Sequence, residues 1–556
     1  MTKAANIVAS FFDIGEQLEV IDWVKKHVKN IPYSPRPFSI DNPPMFAEIL
    51  NEIINPINKH ILILACVQSG KTLAPELALA YLIKNKPAPA LWLNQTDAEA
   101  KDQNEGRLKP LFDTIEPLKN LYNIDKNKMR KDTMIFNNSM TLWTLGQNNL
   151  RNLQRRSICY VFGDETWQWE RGRMAEVEAR TTAFTNGKCI FMSQAGKAED
   201  DTDIAWTASD QREWTWTCPN CGNEWQPAIE HFNEQNATMT CPHCKTVFED
   251  NEFNRFNLNK TAKFVKKNKN AVPGKVGFHW NSFSTMPWKD IASIYQSAKL
   301  SSERGDDLPL EQFYQKRLAT VWNASYHSTP RAQPQNQNAI GFKMNQDWSD
   351  EGVIEIRGNR TPLRFLTVDV QKDYFYFVVR SWTRDGRSRL RDCGIAQSFE
   401  DLLNVASRHS VFNTFSGIDS GFNTDDVFKH CAIHGWTALR GDSRNEWAFR
   451  YGNKTVYKIF SPKEITQVAP RQYAARHFYS NTRCKDILAN LIEKQDRWQL
   501  PDNIPQNYTK MLSSEKKNEK GVWEQIGHRP NHYWDCEVMQ VAIASMVGLF
   551  GGQINE

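Results

Sequence analysis

The sequence predicts an α/β protein built in two successive parts, and three observations predict it. Short apolar runs, "ILILACV" (61–67), "ALWLN" (90–94), "SICYVFGDE" (157–165) and "KCIFMSQAG" (188–196), alternate with helical stretches such as "LAPELALAYLIK" (73–84). That is the pattern of a buried parallel sheet flanked by helices. A polar stretch poor in aliphatic residues, opening with "RAQPQNQNAIGFK" from position 331, then breaks the pattern and reads as a linker. Beyond it a second set begins: "RFLTVDV" (364–370), "DYFYFVVRSW" (373–382, read as an alternating strand), "FSGIDSG" (415–421) and a closing helix in "YWDCEVMQVAIASMVGLF" (533–550).

Bulk properties bound the reading. A chain of 556 residues is too long for one core. With 40% hydrophobic and 24% charged residues it has a soluble, globular composition. No apolar run reaches the roughly 18 residues of a membrane span. The first residues, "MTKAANIVASFFDIGEQLEV", lack a signal-peptide layout, so an intracellular protein is expected. A net charge of +5 neither demands nor excludes nucleic acid, since a local basic channel would suffice. Four of the eleven cysteines form two Cys-x-x-Cys pairs, which without a secretion signal favours metal over disulfides.

The first apolar strand runs into "ACVQSGKT" (65–72), which ends like a phosphate-binding loop. Backbone N–H groups of such a loop, with the following helix N-terminus, hold phosphate oxygens. Gln68, Ser69, Gly70, Lys71 and Thr72 are the expected ATP contacts: Lys71 on the β- and γ-phosphates, Thr72 on Mg²⁺. Ala65 stands where a first glycine is usual, and is tolerable if it keeps a strand-end conformation. The second feature is "VFGDE" (161–165), roughly 90 residues on and again at a strand end. Asp164 is expected to hold Mg²⁺, directly or through water, and Glu165 to polarise the attacking water. The bland alternative for each is a chance Gly-Lys-Thr and a surface carboxylate pair. Arg151, Arg155 and Arg156, in "GQNNLRNLQRRSI", are candidate arginine fingers, weighed evenly against a solvated basic loop. Ser193 and Gln194, ending the next strand, are candidates for coupling hydrolysis to movement.

"CPNC" (218–221) and "CPHC" (241–244) set Cys218, Cys221, Cys241 and Cys244 in a Cys-x2-Cys-x19-Cys-x2-Cys pattern. Four thiolates so spaced fit tetrahedral Zn²⁺ on two knuckles, a closed and therefore structural site. Nearby Trp214, Trp216 and Trp225 are expected to pack the ribbon. In the second part Asp369 lies within an apolar strand, where a carboxylate is costly unless partnered. Asp419 ends another strand and Asp535 opens the last helix. Together these fit a ribonuclease-H-like nuclease holding two Mg²⁺ or Mn²⁺ roughly 4 Å apart. Asp373, Asp425, Glu537 and His532 are secondary candidates.

On these motifs, with "GFHWNSFSTMPW" (277–288), "VDVQKD" (368–373), "DSGFNTDDV" (419–427) and "HYWDCE" (532–537), the chain resembles the large subunit of tailed-bacteriophage terminase, lambda-type family, over nearly its whole length. The resemblance implies an N-terminal P-loop (ASCE-type) ATPase domain with an inserted zinc ribbon and a C-terminal ribonuclease-H-like nuclease domain. The boundaries read as 1–211 for the ATPase domain, 212–250 for the ribbon, 251–330 for the remainder of the ATPase domain, 331–360 for the linker and 361–556 for the nuclease. It further implies ATP, Mg²⁺ (or Mn²⁺ at the nuclease) and Zn²⁺ as cofactors. The implied partners are double-stranded DNA, a small terminase subunit and the procapsid portal, met as a homo-oligomeric ring in the host cytoplasm, with no membrane. The segment "PYSPRPFSIDNPP" (32–44) sits where the family has an adenine-side segment, and many members carry an arginine early in the phosphate loop where this chain has Cys66-Val67. Two rivals remain: a cellular helicase-nuclease, whose strand-contact motifs are not found between 195 and 360, and a zinc-stabilised DNA-binding scaffold with degenerate sites.

Overall fold

A computed structural model describes residues 18–34, 38–40, 45–153, 156–322, 341–356, 358–452, 454–494, 496–518, 521–527 and 529–550. They fall into two compact units, Met1–Gln296 with Glu311–His327, and Ser297–Leu310 with Ser328–Glu556.

The first unit is organised by one sheet. Its strands are β1 (His60–Ala65), β2 (Ala90–Asn94), β3 (Thr133–Ile135), β4 (Thr141–Gly146), β5 (Tyr160–Asp164), β6 (Lys188–Ser193), β7 (Arg212–Thr217), β8 (Lys263–Lys266) and β9 (Lys275–Trp280). Their order is β8-β7-β9-β1-β6-β5-β2-β4-β3. From β7 to β4 all pairs are parallel; only the edge strands β8 and β3 run antiparallel. Every residue of β2, β5 and β6 is buried, which is why these strands read as continuous apolar runs rather than alternating ones. Helix α1 (Leu73–Asn85) follows the loop after β1 and is apolar nearly all round, with Ala74–Ile83 buried. Its one buried acid, Glu76, is satisfied by Arg107 (2.7 and 3.1 Å), by Gln103 (2.8 Å) and by the Tyr33 hydroxyl. The stretch 212–217, assigned from sequence to the inserted module, is strand β7 of this main sheet. The insertion itself begins at Cys218. It contains a small antiparallel sheet of Phe232–Asn233, Thr238–Thr240 and Val247–Phe248, and Glu224–Trp225 pairs back onto β7. Trp214 and Trp216 donate to Asn259 Oδ1 (3.2 and 3.0 Å), and Trp216 meets Trp225 edge-on at 5.3 Å, so these indoles form the base of the ribbon.

The second unit has an eight-stranded sheet: β10 (Arg364–Val370), β11 (Phe375–Trp382), β12 (Ser388–Ala396), β13 (Ser416–Asp419), β14 (Thr437–Asp442), β15 (Glu464–Ala469), β16 (Gln472–Ser480) and β17 (Trp498–Gln499), in the order β15-β16-β14-β13-β10-β11-β12-β17. An antiparallel meander, β10-β11-β12, is extended by β13 and β14 running parallel to β10. This is a ribonuclease-H-like strand arrangement. Helices α2 (Asn481–Glu493) and α3 (His532–Met546) pack against each other, and α3 lies on β10 and β11. Gln540 pins it there, donating to the Phe365 carbonyl (2.9 Å) and Thr367 hydroxyl (3.0 Å) while accepting from the Trp382 indole (3.1 Å).

Strand β11 does not alternate as expected: all of it but Phe375 is buried. Arg380 lies in it fully buried, and burial of a guanidinium demands a full set of acceptors. Glu537 supplies them at 2.9–3.0 Å, while the Trp498 ring stacks beneath at 3.5 Å. Glu537, a secondary candidate for metal binding, is thus committed to a buried ion pair also bonded by the Tyr508 hydroxyl. Of the expected linker, 331–340 lies outside the described residues. From 341 the chain packs on the second unit: Phe342 and Trp348 each hold the Arg389 guanidinium at 4.7 Å, and Val353–Ile356 pairs with Asn359–Pro362. Residues 297–310, placed with the ATPase part by sequence, also join this unit, where Arg483 donates to both carboxyl oxygens of Asp306 (2.8 and 2.9 Å).

Arg380→Met strands the Glu537 carboxylate in the core and is expected to cost about 3–5 kcal/mol in denaturant unfolding of the second unit. Adding Glu537→Gln should return a large part of that loss; a single substitution costing under about 1 kcal/mol would refute the account.

Candidate functional site

In the first unit the candidate nucleotide site forms at the carboxyl ends of β1, β5 and β6. Ala65 is paired as strand with Trp280 and fully buried, so the missing glycine falls where no special backbone conformation is needed. The left-handed positions come later, at Gln68 (φ 57°) and Gly70 (φ 81°). A Cβ on Gly70 would stand 2.7 Å from Phe46 Cζ, so both conformation and space require glycine there. Ser69 Oγ donates to the Cys66 carbonyl at 2.7 Å and closes the loop. Lys71 Nζ lies 2.7 Å from Glu165 Oε1. Glu165 is itself in the left-handed region (φ 49°), and its other oxygen accepts from the Trp167 indole at 2.7 Å. Burial pushes Asp164 up to about 7; the Glu165 charge adds to the rise and Lys71 opposes it. Ser193, buried, accepts from the Trp167 backbone N–H at 3.0 Å, which ties the end of β6 to the segment after Glu165. Gln194 is 2% exposed, and its Nε2 has no hydrogen-bond partner among the described residues.

The arginines fall differently. Arg155 lies outside the described residues. Arg151 is exposed. Arg156 donates to the Asn152 carbonyl at 2.7 Å and sits over the Trp143 ring at 5.6 Å. Among the described residues neither Arg151 nor Arg156 bonds to Lys71, Asp164 or Glu165. The arginine that feels the charge of Asp164 is Arg107, in a π-helical turn (Asn104–Leu108), held by Glu76 and stacked 4.1 Å from the Tyr33 ring. No motif marks it in the sequence.

In the second unit Asp369, Asp419 and Asp535 line one cleft of about 430 Å³. Asp369 comes from β10, Asp419 from the end of the adjacent parallel β13, and Asp535 from the first turn of α3. Burial pushes Asp419 up to about 6, with the Asp369 charge adding to it and the backbone N–H of Gly421 opposing. Burial also pushes Asp535 up to about 7; Lys485 opposes this, and Asp369, Glu515 and Asp419 add to it. Asp369 is oriented by Gln371 Nε2 (2.7 Å) and His532 Nδ1 (2.9 Å), and the His532 ring stacks on Tyr376 at 4.6 Å. Carboxylates so buried and mutually repelling are a donor set for cations.

Among the cleft residues that escaped prediction from sequence are Asp442, Tyr479, Lys485 and Trp523. Asp442 ends β14 just as Asp419 ends β13, but the Arg444 guanidinium grips it (2.9 and 3.0 Å) and holds its carboxyl below the usual range. Of the secondary candidates, Asp373 and Asp425 are exposed or half-buried and do not line the cleft.

The four cysteine sulfurs lie within 4.8 Å of one another, with Cys218–Cys244 at 3.7 Å and Cys221–Cys241 at 3.9 Å. Zn–S bonds of about 2.3 Å in a tetrahedron imply S···S edges of about 3.8 Å, so the quartet fits zinc. Hydrogen bonds from the Thr246 hydroxyl and the Asn220 amide pull the Cys244 thiol down, while burial pushes Cys218 up.

Two family models together match most of the chain. "Phage terminase large subunit gpA, ATPase domain" matches residues 34–261, and "Terminase large subunit gpA, endonuclease domain" matches 275–554. No curated protein matches. Solved structures similar to the chain include the HK97 bacteriophage large terminase (10% identity, TM-score 0.33, 94% of this chain and 98% of that one). Another is the large terminase of a thermophilic bacteriophage (10%, 0.32, 96% and 98%). A third is the Thermus phage P74-26 large terminase ATPase domain (13%, 0.30, 49% and 93%).

Elemental analysis of the purified chain should give about one zinc per molecule, as a four-thiolate site requires. Cys241→Ser should lose it and lower the melting temperature of the first unit. Full zinc retention by that variant would refute the assignment.

Proposed function

The chain belongs to the gpA family of phage terminase large subunits and carries its ATPase and endonuclease domains; on that premise we propose that it drives double-stranded viral DNA into a procapsid and cuts the concatemer. In this reading Gln68–Thr72 cradle the ATP phosphates, Lys71 neutralises the β- and γ-oxygens, and Thr72 with Asp164 holds Mg²⁺. Glu165 then has two partners to choose between. Lys71 draws it at 2.7 Å, but γ-phosphate oxygens compete for the same ammonium and release the carboxylate to orient water. Ser193 and Gln194 carry the change into β6 and the segment after it. Arg107 joins Arg151, Arg155 and Arg156 as a candidate for the charge on the γ-phosphate.

Cleavage falls to the second unit. Divalent cations held by Asp369, Asp419 and Asp535 would make a water acidic enough to attack phosphorus and would neutralise the departing oxygen. The chain's own part is positional: Gln371 and His532 fix one Asp369 oxygen, and Arg444 withdraws Asp442 from competition. Zinc stays structural. A small terminase subunit supplies DNA choice, the portal supplies the docking surface, and subunits act as a ring in the host cytoplasm.

The observation that carries this reading is the convergence of three aspartates on one cleft, in a unit separate from the one that pairs Lys71 with Glu165. Lys71→Ala should cut ATP hydrolysis at least about 100-fold and leave DNA cleavage intact; Asp369→Asn should do the reverse. Loss of both activities from either change, or of neither, would sink it.

A further inference from the structure

Among the described residues that line the nuclease cleft, Lys485 is the only cation, and its placement is specific. It comes from the second turn of α2, and its side chain is 8% exposed. A lysine so buried needs a partner. Glu515, 5% exposed, provides it at 2.5 Å. The other Glu515 oxygen accepts from Asn531 Nδ2 at 2.9 Å, and Asn531 is the residue that caps α3. A buried chain of Lys485, Glu515 and Asn531 therefore runs from the cleft wall to the start of the helix that carries Asp535. The hairpin bearing Glu515 is tied to α2 as well: Lys517 and the Trp523 indole both donate to Asp486 Oδ1 (2.7 and 2.8 Å).

An ammonium has three donors. One is spent on Glu515, and the acids clustered around it rule out a purely apolar role. Aspartates that hold cations cannot also bind a phosphodiester directly, because like charges repel. A fixed cation beside them can. Resting on the nuclease reading above, we propose that Lys485 is a catalytic residue of the cleft, donating to a non-bridging oxygen of the scissile DNA phosphate, with Glu515 and Asn531 as its positioning residues. The covalent change is ordinary hydrolysis. Water oxygen bonds to phosphorus, the bond from phosphorus to the departing sugar oxygen breaks with its electron pair on that oxygen, and one proton leaves the water while another is taken up from solvent. Lys485 stabilises the charge that grows on the phosphoryl oxygens.

The test compares the full-length chain with Lys485→Met, Lys485→Arg, the neutralised pair Lys485→Met/Glu515→Gln, and Asp369→Asn. Cleavage of duplex DNA is measured in Mn²⁺, and Mn²⁺ binding is read separately by titration calorimetry without nucleotide, with Asp369→Asn marking the cleft's share. The expectation for Lys485→Met is a fall in turnover of about 100- to 1,000-fold, the size of losing one charge-stabilising donor. Its KM for DNA should stay within a few-fold, and its Mn²⁺ titration and ATPase should be unchanged. The double variant, which removes Lys485 together with its ion-pair partner, should show the same loss without the melting-temperature drop of a stranded Glu515, and Lys485→Arg should recover part of the turnover. Turnover within threefold of the unmodified chain for Lys485→Met, or a loss of Mn²⁺ binding in step with activity in both methionine variants, overturns the proposal. Asp369→Asn separates the two readings. If it abolishes cleavage while Lys485→Met does not, only this proposal fails; if the unmodified chain and Asp369→Asn cleave alike, the nuclease reading fails and takes this one with it.

Discussion

The structure turns on one costly act: burying carboxylates at the sheet edges where parallel strands end, two on the strands themselves and one on the helix packed there. Asp164, Asp419 and Asp535 are all driven upward by desolvation, to about 7, 6 and 7, and each is also repelled by a neighbouring acid. A fold keeps such groups only when something positive balances them. Lys71 and Lys485 are the charges that oppose the rise at Asp164 and Asp535, and neither suffices to bring its partner back to the ordinary carboxylate range. On the reading proposed above, divalent cations would complete the balance. In open α/β sheets the carboxyl ends of the strands are where ligands gather. Here β1, β5 and β6 build one such edge, and β10, β13 and β14 build the other.

The contrast between acids in the same unit sharpens this. Asp442 and Glu537 are as much part of the fold as Asp369, but each has its own guanidinium, Arg444 and Arg380. Asp369 has no such guanidinium among the described residues; its partners are the Gln371 amide and the His532 ring. An acid gripped by two guanidinium N–H bonds has little left to offer a metal, whereas one held by an amide and an imidazole is oriented and still short of positive charge. Which carboxylates can bind cations is thus decided by their neighbours rather than by their position along a strand.

Much of this was legible in the sequence. Apolar runs ending in Gly-Lys-Thr, Asp-Glu or a lone Asp carry both burial and chemistry in adjacent letters, and the two Cys-x-x-Cys pairs carry a ligand geometry. What stayed hidden shares one cause: it depends on contacts across long separations. Arg107 reaches Glu76 and the vicinity of Asp164 through a π-helical turn, and nothing around it in the chain says so. Lys485 and Asp442 meet the three aspartates only because α2 and β14 fold onto the same edge. The buried Arg380 made β11 look amphipathic, since a sequence cannot reveal that a charge has its counterion 157 residues away. Strand β7 was absorbed into the ribbon because its Trp-rich texture matches the insertion, although its backbone pairs with β8 and β9.

On the reading proposed above, the left-handed residues explain how the phosphate loop dispenses with its first glycine. Such loops need positive φ where backbone N–H groups turn toward the phosphates, and strand ends do not. In this chain the demand falls on Gln68 and Gly70, and Ala65 lies within regular β1. Gln68 bears a conformation that costs a non-glycine residue about 1 kcal/mol or more, and Glu165, which meets Lys71, bears another. On the same reading, a γ-phosphate competing for Lys71 would free Glu165, and the Trp167–Ser193 hydrogen bond ties the end of β6 to the segment that would follow.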